Sequence, residues 1–281
     1  MPFQSDRVRP VTPWLDQPQP AAWLLAMCAA LLVTPSEAET VEVDVQLVLA
    51  ADVSGSMSSD ELRLQRESYV AALRERTVAQ AVLSGGLGRI ALTYVEWAGV
   101  DQQAVVVPWT IVESGRDLED FADRLAEGSR LVTGRSAITL RGSPTSISDA
   151  LLFAADRFGE SGVRSFGRTI DISGDGPNNE GPDIGVVRDA IVARGITINA
   201  IAIDLPDRPT YGPYDMFGTQ DESLRPYYED NVIGGPGAFA ISVAGLDGFA
   251  ETIQRKLIME ISAVRPAPHH IGLSTLARLD N

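Results

Sequence analysis

Cysteine and histidine are almost absent from this chain of 281 residues, which contains one cysteine and two histidines. Cys28 lies in an apolar run near the N-terminus, and His269 and His270 are adjacent near the C-terminus. The central region therefore has no thiol and no imidazole, which excludes Ser-His-Asp and Cys-His catalysis there, as well as zinc sites built on those ligands. Any metal site in the central region must use oxygen ligands, which suit magnesium, calcium or manganese.

Positive charge is also scarce, and Lys256 is the only lysine. The chain has 23 basic and 38 acidic residues and a formal net charge of -15, so it repels phosphate backbones and nucleic acid is not an expected partner. Hydrophobic residues make up 44% of the chain and charged residues 22%, which is typical of a globular protein. The length predicts one large domain with short appendages.

Residues 1–38 have the features of a secretory signal peptide. Arg7 and Arg9 give a basic start, residues 21–33 are apolar and uncharged, and small residues stand at Ser36 and Ala38. This order predicts cleavage after Ala38 and a periplasmic or secreted protein. The apolar run is too short for a comfortable transmembrane helix, so no stable membrane span is expected after cleavage.

Two other interpretations of the N-terminal segment stay open. It could remain as an uncleaved anchor, or Cys28 could be a lipoprotein acylation site. Met27 before the cysteine is a poor match to an acylation site, and the apolar run continues past it. After cleavage at Ala38 the chain has no cysteine, so its stability would depend on its core alone.

Buried-strand patterns alternate with amphipathic helix patterns along the rest of the chain. The predicted strands are 41–51, 89–97, 103–110, 168–173, 196–203 and 237–243, and the predicted helices are 58–83, 117–127, 146–158, 183–194 and 246–263. The alternation predicts a doubly wound α/β fold with a mostly parallel six-stranded sheet, one antiparallel edge strand and helices on both faces. We expect one domain over residues 41–263, and a flexible tail over residues 264–281.

Three predicted loops carry small oxygen-bearing side chains at the carboxyl ends of strands, where such folds bind ligands. The first loop follows the first strand and contains Asp52, Ser54 and Ser56 at alternate positions. The second contains Thr145, at the start of a strongly patterned helix, and the third contains Asp175 between two glycines. Each loop alone is more simply a helix cap or a turn. Together they supply two carboxylates and three hydroxyls, which favours a metal site.

In these five residues the chain resembles the von Willebrand factor A (integrin I-like) family. The metal-ion-dependent adhesion site of that family has the pattern Asp-x-Ser-x-Ser, then a Thr, then an Asp, which matches Asp52, Ser54, Ser56, Thr145 and Asp175. The order of strands and helices agrees from about residue 41 to 263. Residues 174–179 and 228–237 also resemble a bacterial subgroup, the domain of unknown function 1194, which implies no activity.

The resemblance implies a divalent cation, Mg²⁺ or else Ca²⁺ or Mn²⁺, held mainly by hydroxyls and open at one coordination position. A carboxylate from a partner protein or another ligand would fill that position, giving metal-bridged binding. Two alternatives remain: a metal-dependent hydrolase, for which Asp171 or Glu180 are the nearby candidate bases, and a structural subunit whose metal only stiffens the loops.

Several residues near the three loops have two possible roles. Asp171 could accept a hydrogen bond from a metal ligand or could be a polar residue at a strand edge. Asn178 and Asn179 could line the rim of the site or serve only as turn residues. The segment from Leu205 to Asp230 is rich in aromatic residues and should lie on the metal face, either as a recognition surface or as a self-packed loop.

Overall fold

The computed structural model describes residues 40–139, 143–204, 224–244 and 248–263, and within 129–139 only the backbone. These residues form one six-stranded sheet with the strand order β3-β2-β1-β4-β5-β6. The strands are β1 (Glu42–Asp52), β2 (Ile90–Trp97), β3 (Gln103–Val112), β4 (Arg164–Gly174), β5 (Thr197–Asp204) and β6 (Ala240–Ala244). All neighbouring pairs are parallel except β2 and β3, which are antiparallel, so the predicted fold class is confirmed.

Seven α-helices are described beside this sheet. They are α1 (Ser59–Leu73), α2 (Arg76–Leu83), α3 (Gly115–Thr139), α4 (Ile147–Arg157), α5 (Ile184–Ala193), α6 (Arg225–Asn231) and α7 (Phe249–Ala263), with one 3-10 turn at Phe158–Glu160. None of the helices described is both long and apolar enough to cross a membrane.

The core consists of one hydrophobic layer on each face of the sheet. Alternate residues of β1 enter opposite layers: Leu47 and Leu49 pack with residues of α1, α2, α3 and α7, whereas Val48 and Ala50 pack with residues of α4, α5 and α6. Because β1 is covered on both faces, its ten residues from Val43 to Asp52 are all buried. Burial on both faces explains the nearly continuous aliphatic sequence that predicted this strand.

Two predicted helices have different bounds in the structure. The single helix predicted over residues 58–83 is two helices, because the chain is extended at Glu75, the residue before α2 begins. The break redirects the chain so that Val78 and Val82 of α2 enter the core, and it has no glycine or proline signal in the sequence. The helix predicted to end at Glu127 continues as α3 to Thr139, where we expected a polar loop, since residues 128–139 contain no proline.

The segment from 205 to 230, predicted as one long loop, contains helix α6 at its C-terminal end. Its residues 205–223 lie outside the described residues, as do the signal peptide predicted over 1–38 and the tail predicted over 264–281.

Candidate metal site

The three predicted loops meet at the carboxyl ends of β1 and β4, the two central strands. These strands pair in parallel up to Ala51 and Ser173, so the loops that follow them leave the same edge of the sheet side by side. The second loop joins them there, because Gly55 N–H donates to the Ser143 carbonyl at 3.1 Å. The topology therefore places three distant stretches of sequence around one point.

Hydrogen bonds connect the five predicted site residues. Ser56 Oγ donates to Asp175 Oδ1 at 2.6 Å, and Ser54 Oγ and Ser56 Oγ lie 3.0 Å apart. Thr145 Oγ1 donates to Ser54 Oγ at 3.3 Å, which joins the second loop to the first. Asp52 Oδ1 accepts the backbone N–H of Ser54 at 2.7 Å, which curls the first loop around its own aspartate. The structure thus brings all five residues into one cluster.

Other residues cap the neighbouring helices, so capping does not explain the clustered hydroxyls. Ser58 caps α1 in a reciprocal capping box with Glu61, and Ser146 caps α4 by accepting the N–H of Asp149 at 3.3 Å. Ser54, Ser56 and Thr145 are not the capping residues, although each stands just before a helix. The interpretation of these hydroxyls as simple helix caps is therefore wrong.

The cluster is buried on one side and open on the other. Asp52, Ser54 and Thr145 are buried, with exposed fractions of 0%, 1% and 4%, whereas Asp175 is half-buried and Ser56 is exposed. The hydroxyl of Tyr228 lies beneath the cluster; its burial and, next in size, the negative charge of Asp52 raise its pKa well above the usual value. Tyr228 therefore remains a neutral hydrogen-bond donor, and donates to the Gly176 carbonyl at 3.1 Å.

The oxygen atoms of this cluster fit a hard divalent cation. Two carboxylates and three hydroxyls are ligands that Mg²⁺, Ca²⁺ and Mn²⁺ accept. Among the residues that the structure describes, no group of three or more His, Cys, Asp or Glu side chains is placed to hold a metal ion. Any metal at this edge of the sheet would therefore depend on the serine and threonine hydroxyls.

Asn178 and Asn179 fasten the third loop to the second. Asn179 Oδ1 accepts the N–H of Thr145 at 2.8 Å, and the Asn179 N–H donates to the Thr145 carbonyl at 2.9 Å. Asn178 Oδ1 accepts the N–H of Ser148 at 2.9 Å, and the Asn178 N–H donates to the Tyr227 hydroxyl at 3.0 Å. Asn179 holds the third loop against Thr145, and Asn178 holds it against α4 and α6, which neither a rim position nor a simple turn would require.

Asp171 does not belong to the site, although it lies only four residues before Asp175. It is fully buried at the centre of β4 and pairs with Lys256 Nζ of α7 at 2.6 Å, so it is neither a strand-edge residue nor a second acceptor for the site. Lys256 also contacts Glu260, whose Oε1 accepts a hydrogen bond from Asn199 at 3.0 Å. We name Asp171, Lys256 and Glu260 the buried charge triad. No periodicity in the sequence indicated it.

Glu180 and Asp149 support the backbone near the site. Glu180 Oε2 accepts the N–H of Val100 at 2.9 Å, which ties the third loop to the turn between β2 and β3. Asp149 stands in the first turn of α4, as expected for a favourable helix-dipole charge, and its Oδ2 accepts the N–H of Asp101 at 2.9 Å. Both carboxylates therefore already serve as acceptors for the same turn.

Gly174 leaves no space for a side chain. A Cβ atom at this residue would lie 2.5 Å from Tyr228 Oη and 3.1 Å from Asp52 Oδ2. We expect Gly174→Ala to lower the free energy of unfolding by about 1–3 kcal/mol, measured by urea denaturation, because Tyr228 or the first loop must move. Gly176→Ala is the matched control, since nothing lies within 4 Å of its Cβ position, and a change within about 0.5 kcal/mol is expected. Equal losses in both variants would contradict this account.

Solved structures with a similar fold include adhesive and matrix proteins. Proximal thread matrix protein 1 from the mussel byssus, in a structure described as having a zinc-occupied MIDAS motif, is 14% identical with a TM-score of 0.50, over 79% of this chain and 49% of that one. The pilus adhesin SpaC from Lactobacillus rhamnosus GG is 12% identical with a TM-score of 0.51, over 78% of this chain and 30% of that one. This chain thus spans about half of the mussel protein and under a third of the adhesin.

A von Willebrand factor type A structure from Catenulispora acidiphila is 16% identical, with a TM-score of 0.45, over 78% of this chain and 43% of that one. No curated protein matches the sequence. The family model described as "Protein of unknown function (DUF1194)" matches residues 42–265, which is most of the chain and includes every described strand and helix. The chain therefore belongs to the DUF1194 family, and its domain has the von Willebrand factor A-like fold.

Proposed function

We propose that this chain is an exported, adhesion-type binding domain that bridges a carboxylate of a partner protein through a divalent cation. Asp52, Ser54, Ser56, Thr145 and Asp175 would hold the cation. The observation that carries the proposal is the convergence of hydroxyls from separate loops, with Ser56 Oγ 2.6 Å from Asp175 Oδ1 and Thr145 Oγ1 3.3 Å from Ser54 Oγ. Helix capping does not account for this convergence.

The charge of the donor set supports a bridging role. Three of the five candidate metal ligands are neutral hydroxyls. A bound cation would therefore keep much of its positive charge and would attract a further anionic oxygen. Magnesium suits the small site, and calcium or manganese are the alternatives. The zinc in the mussel protein's motif makes Zn²⁺ a fourth ion to test. A carboxylate in a partner protein is the group that would complete such a site.

The buried charge triad speaks against the hydrolase alternative. A hydrolase needs a general base within reach of the attacking water. Asp171 is fully buried and paired with Lys256, so it is not placed to accept that proton, and Glu180 Oε2 already accepts the N–H of Val100. We therefore propose a binding protein with no catalytic residues.

We also propose that the chain is exported. We propose cleavage of a signal peptide over residues 1–38, a domain over 41–263 and a flexible tail over 264–281, with the mature protein in the periplasm or secreted.

The segment 205–230 would give specificity, because it leaves the carboxyl end of β5 on the site's side of the sheet. At its C-terminal end, Tyr227 already contacts the third loop through the N–H of Asn178.

A pair of serine substitutions tests the metal site. We expect the exported chain to bind Mg²⁺, and the double variant Ser54→Ala/Ser56→Ala to lose at least about tenfold in affinity, since even residues that only support metal ligands contribute about 10–100-fold. Isothermal titration with Mg²⁺, Ca²⁺, Mn²⁺ and Zn²⁺ measures both quantities. Ser58→Ala is the matched control, because Ser58 lies near the same loop but only caps α1. Wild-type affinity in the double variant would remove these hydroxyls from the site.

Partner capture tests the bridging role separately. The wild-type chain is used to capture proteins from the native envelope fraction in Mg²⁺ and then in chelator. We expect a partner retained only with Mg²⁺, and not retained by the Ser54→Ala/Ser56→Ala variant. Equal capture in both conditions would remove the metal from the interaction. A large metal-dependent rise in Tm with no metal-dependent partner would instead favour a purely structural role for the ion.

A further inference from the structure

Gln65 of α1 joins the ends of the two central strands. Its Nε2 donates to the Asp52 carbonyl at 2.8 Å, and its Oε1 accepts from Ser173 Oγ at 3.2 Å. The side chain is only 2% exposed, so a single buried amide spans from the first candidate metal loop to the strand that leads into the third. Nothing in the helical pattern of the sequence distinguished this residue.

The position of Gln65 coincides with the end of the sheet ladder. The pairing of β1 with β4 ends at Ala51 and Ser173, and beyond those residues no backbone ladder holds the two strands together. Asp52 is the next residue of β1, and Asp175 follows Ser173 by two residues. The Gln65 amide therefore replaces a ladder hydrogen bond at the point where the two strands separate to form the site.

Both hydrogen bonds of Gln65 lie in the protein interior, where water is not available as an alternative partner. Asp52 is 0% exposed and Ser173 is 0% exposed, so water cannot readily take the place of the amide. On its other side, the first loop is fixed to β2, because the Val53 N–H donates to the Trp97 carbonyl at 2.8 Å. Gln65 supplies the corresponding restraint toward β4.

We propose that Gln65 is a positioning residue for the metal site, which sets the separation between the Asp52 loop and the Asp175 loop. The inference rests on the proposed metal-binding function. Gln65 acts through the backbone carbonyl of Asp52 and the hydroxyl of Ser173, which are not among the five candidate side-chain ligands. Residues that orient metal ligands in this way contribute about 10–100-fold to metal affinity.

Substitution of Gln65 by methionine tests the proposal, because methionine keeps the length of the side chain and removes both hydrogen bonds. We expect the Kd for Mg²⁺ to rise about 10–100-fold, measured by isothermal titration at a temperature where far-UV circular dichroism shows the variant fully folded. Ser173→Ala removes only one of the two hydrogen bonds and should give a smaller rise. The matched control is Val70→Ala, a core substitution in the same helix, which should lower Tm without changing the Kd.

The outcomes separate this inference from the proposed function. If wild type binds Mg²⁺ and Gln65→Met binds it with unchanged affinity, the positioning role is overturned and the metal site stands. If Val70→Ala weakens binding as much as Gln65→Met does, the effect is one of general stability and the positioning role is also overturned. If wild type binds none of Mg²⁺, Ca²⁺, Mn²⁺ and Zn²⁺, the proposed function itself fails, and the positioning role fails with it.

Discussion

Lys256→Met is expected to lower the free energy of unfolding by about 3–5 kcal/mol at neutral pH, because it leaves the carboxylate of Asp171 buried without its cation. Lys256 and Asp171 are both fully buried, and their side-chain nitrogen and oxygen lie 2.6 Å apart. The loss should appear in urea denaturation as a lower midpoint with an unchanged slope.

Two further variants define what the Lys256 result means. The double variant Lys256→Met/Asp171→Asn should recover most of the loss, because no charge of that pair then remains buried. Arg225→Met removes one partner of the Arg225–Glu229 pair, whose side chains are 50% and 40% exposed, and should cost no more than about 1 kcal/mol. A loss below about 1 kcal/mol for Lys256→Met would show that the buried pair is not essential to the fold.

Glu260 is expected to make the stability of the protein decrease as the pH rises from about 4.5 to about 8. Burial first, and then the negative charge of Asp171, raise the pKa of Glu260 to about 8, although Lys256 opposes both effects. With Glu260 protonated, the positive charge of Lys256 and the negative charge of Asp171 balance. Below about pH 8, Glu260 therefore adds no negative charge to the triad.

The sign of the effect follows from proton linkage. Between about pH 4.5 and about pH 8, folded Glu260 keeps its proton while the unfolded residue has lost it. The contribution of this group to the free energy of unfolding is therefore fully present below about pH 4.5 and is lost progressively as the pH rises to about 8. The slope is at most about 1.4 kcal/mol per pH unit. Above about pH 8 both states are ionised, and this contribution to the slope disappears.

Glu260→Gln isolates this contribution from the other titrating groups. Glutamine keeps the shape of the protonated acid and cannot ionise, so the difference in unfolding free energy between wild type and variant should change with pH only between about 4.5 and about 8. As the pH rises across that interval, the free energy of unfolding of the variant should increase relative to that of wild type. Urea denaturation at matched ionic strength measures both values. Parallel stability curves for the two proteins would contradict the raised pKa of Glu260.

The five candidate ligands could be selected from the sequence because each stands next to a strongly patterned element. Asp52 follows an aliphatic strand, Thr145 precedes an amphipathic helix, and Asp175 lies between glycines after another strand. Strand direction then places the loops at one edge, since parallel strands end on the same side. The convergence of the three loops could therefore be predicted from the topology of the sheet. The structure brings the five residues together.

The residues that support the site could not be selected in the same way. Gln65 lies within a helix where a polar residue is most simply exposed, and its burial depends on the ends of β1 and β4, which are distant in the sequence. Asn178 and Asn179 look like turn residues until the loop carrying Thr145 is placed beside them. The break between α1 and α2 likewise has no glycine or proline signal in the sequence.

The sequence by itself determined the fold class, the succession of strands and helices along the chain, the antiparallel edge strand and the oxygen chemistry open to a metal site, because periodicity and residue type are local properties. Only the tertiary structure decided which polar residues are buried and what they contact. Lys256 and Glu260 stand four residues apart on α7, but Asp171 comes from β4, and no local pattern relates it to them. Burial and charge pairing are properties of contacts between distant segments, so they exist only once the sheet and its helices have packed together.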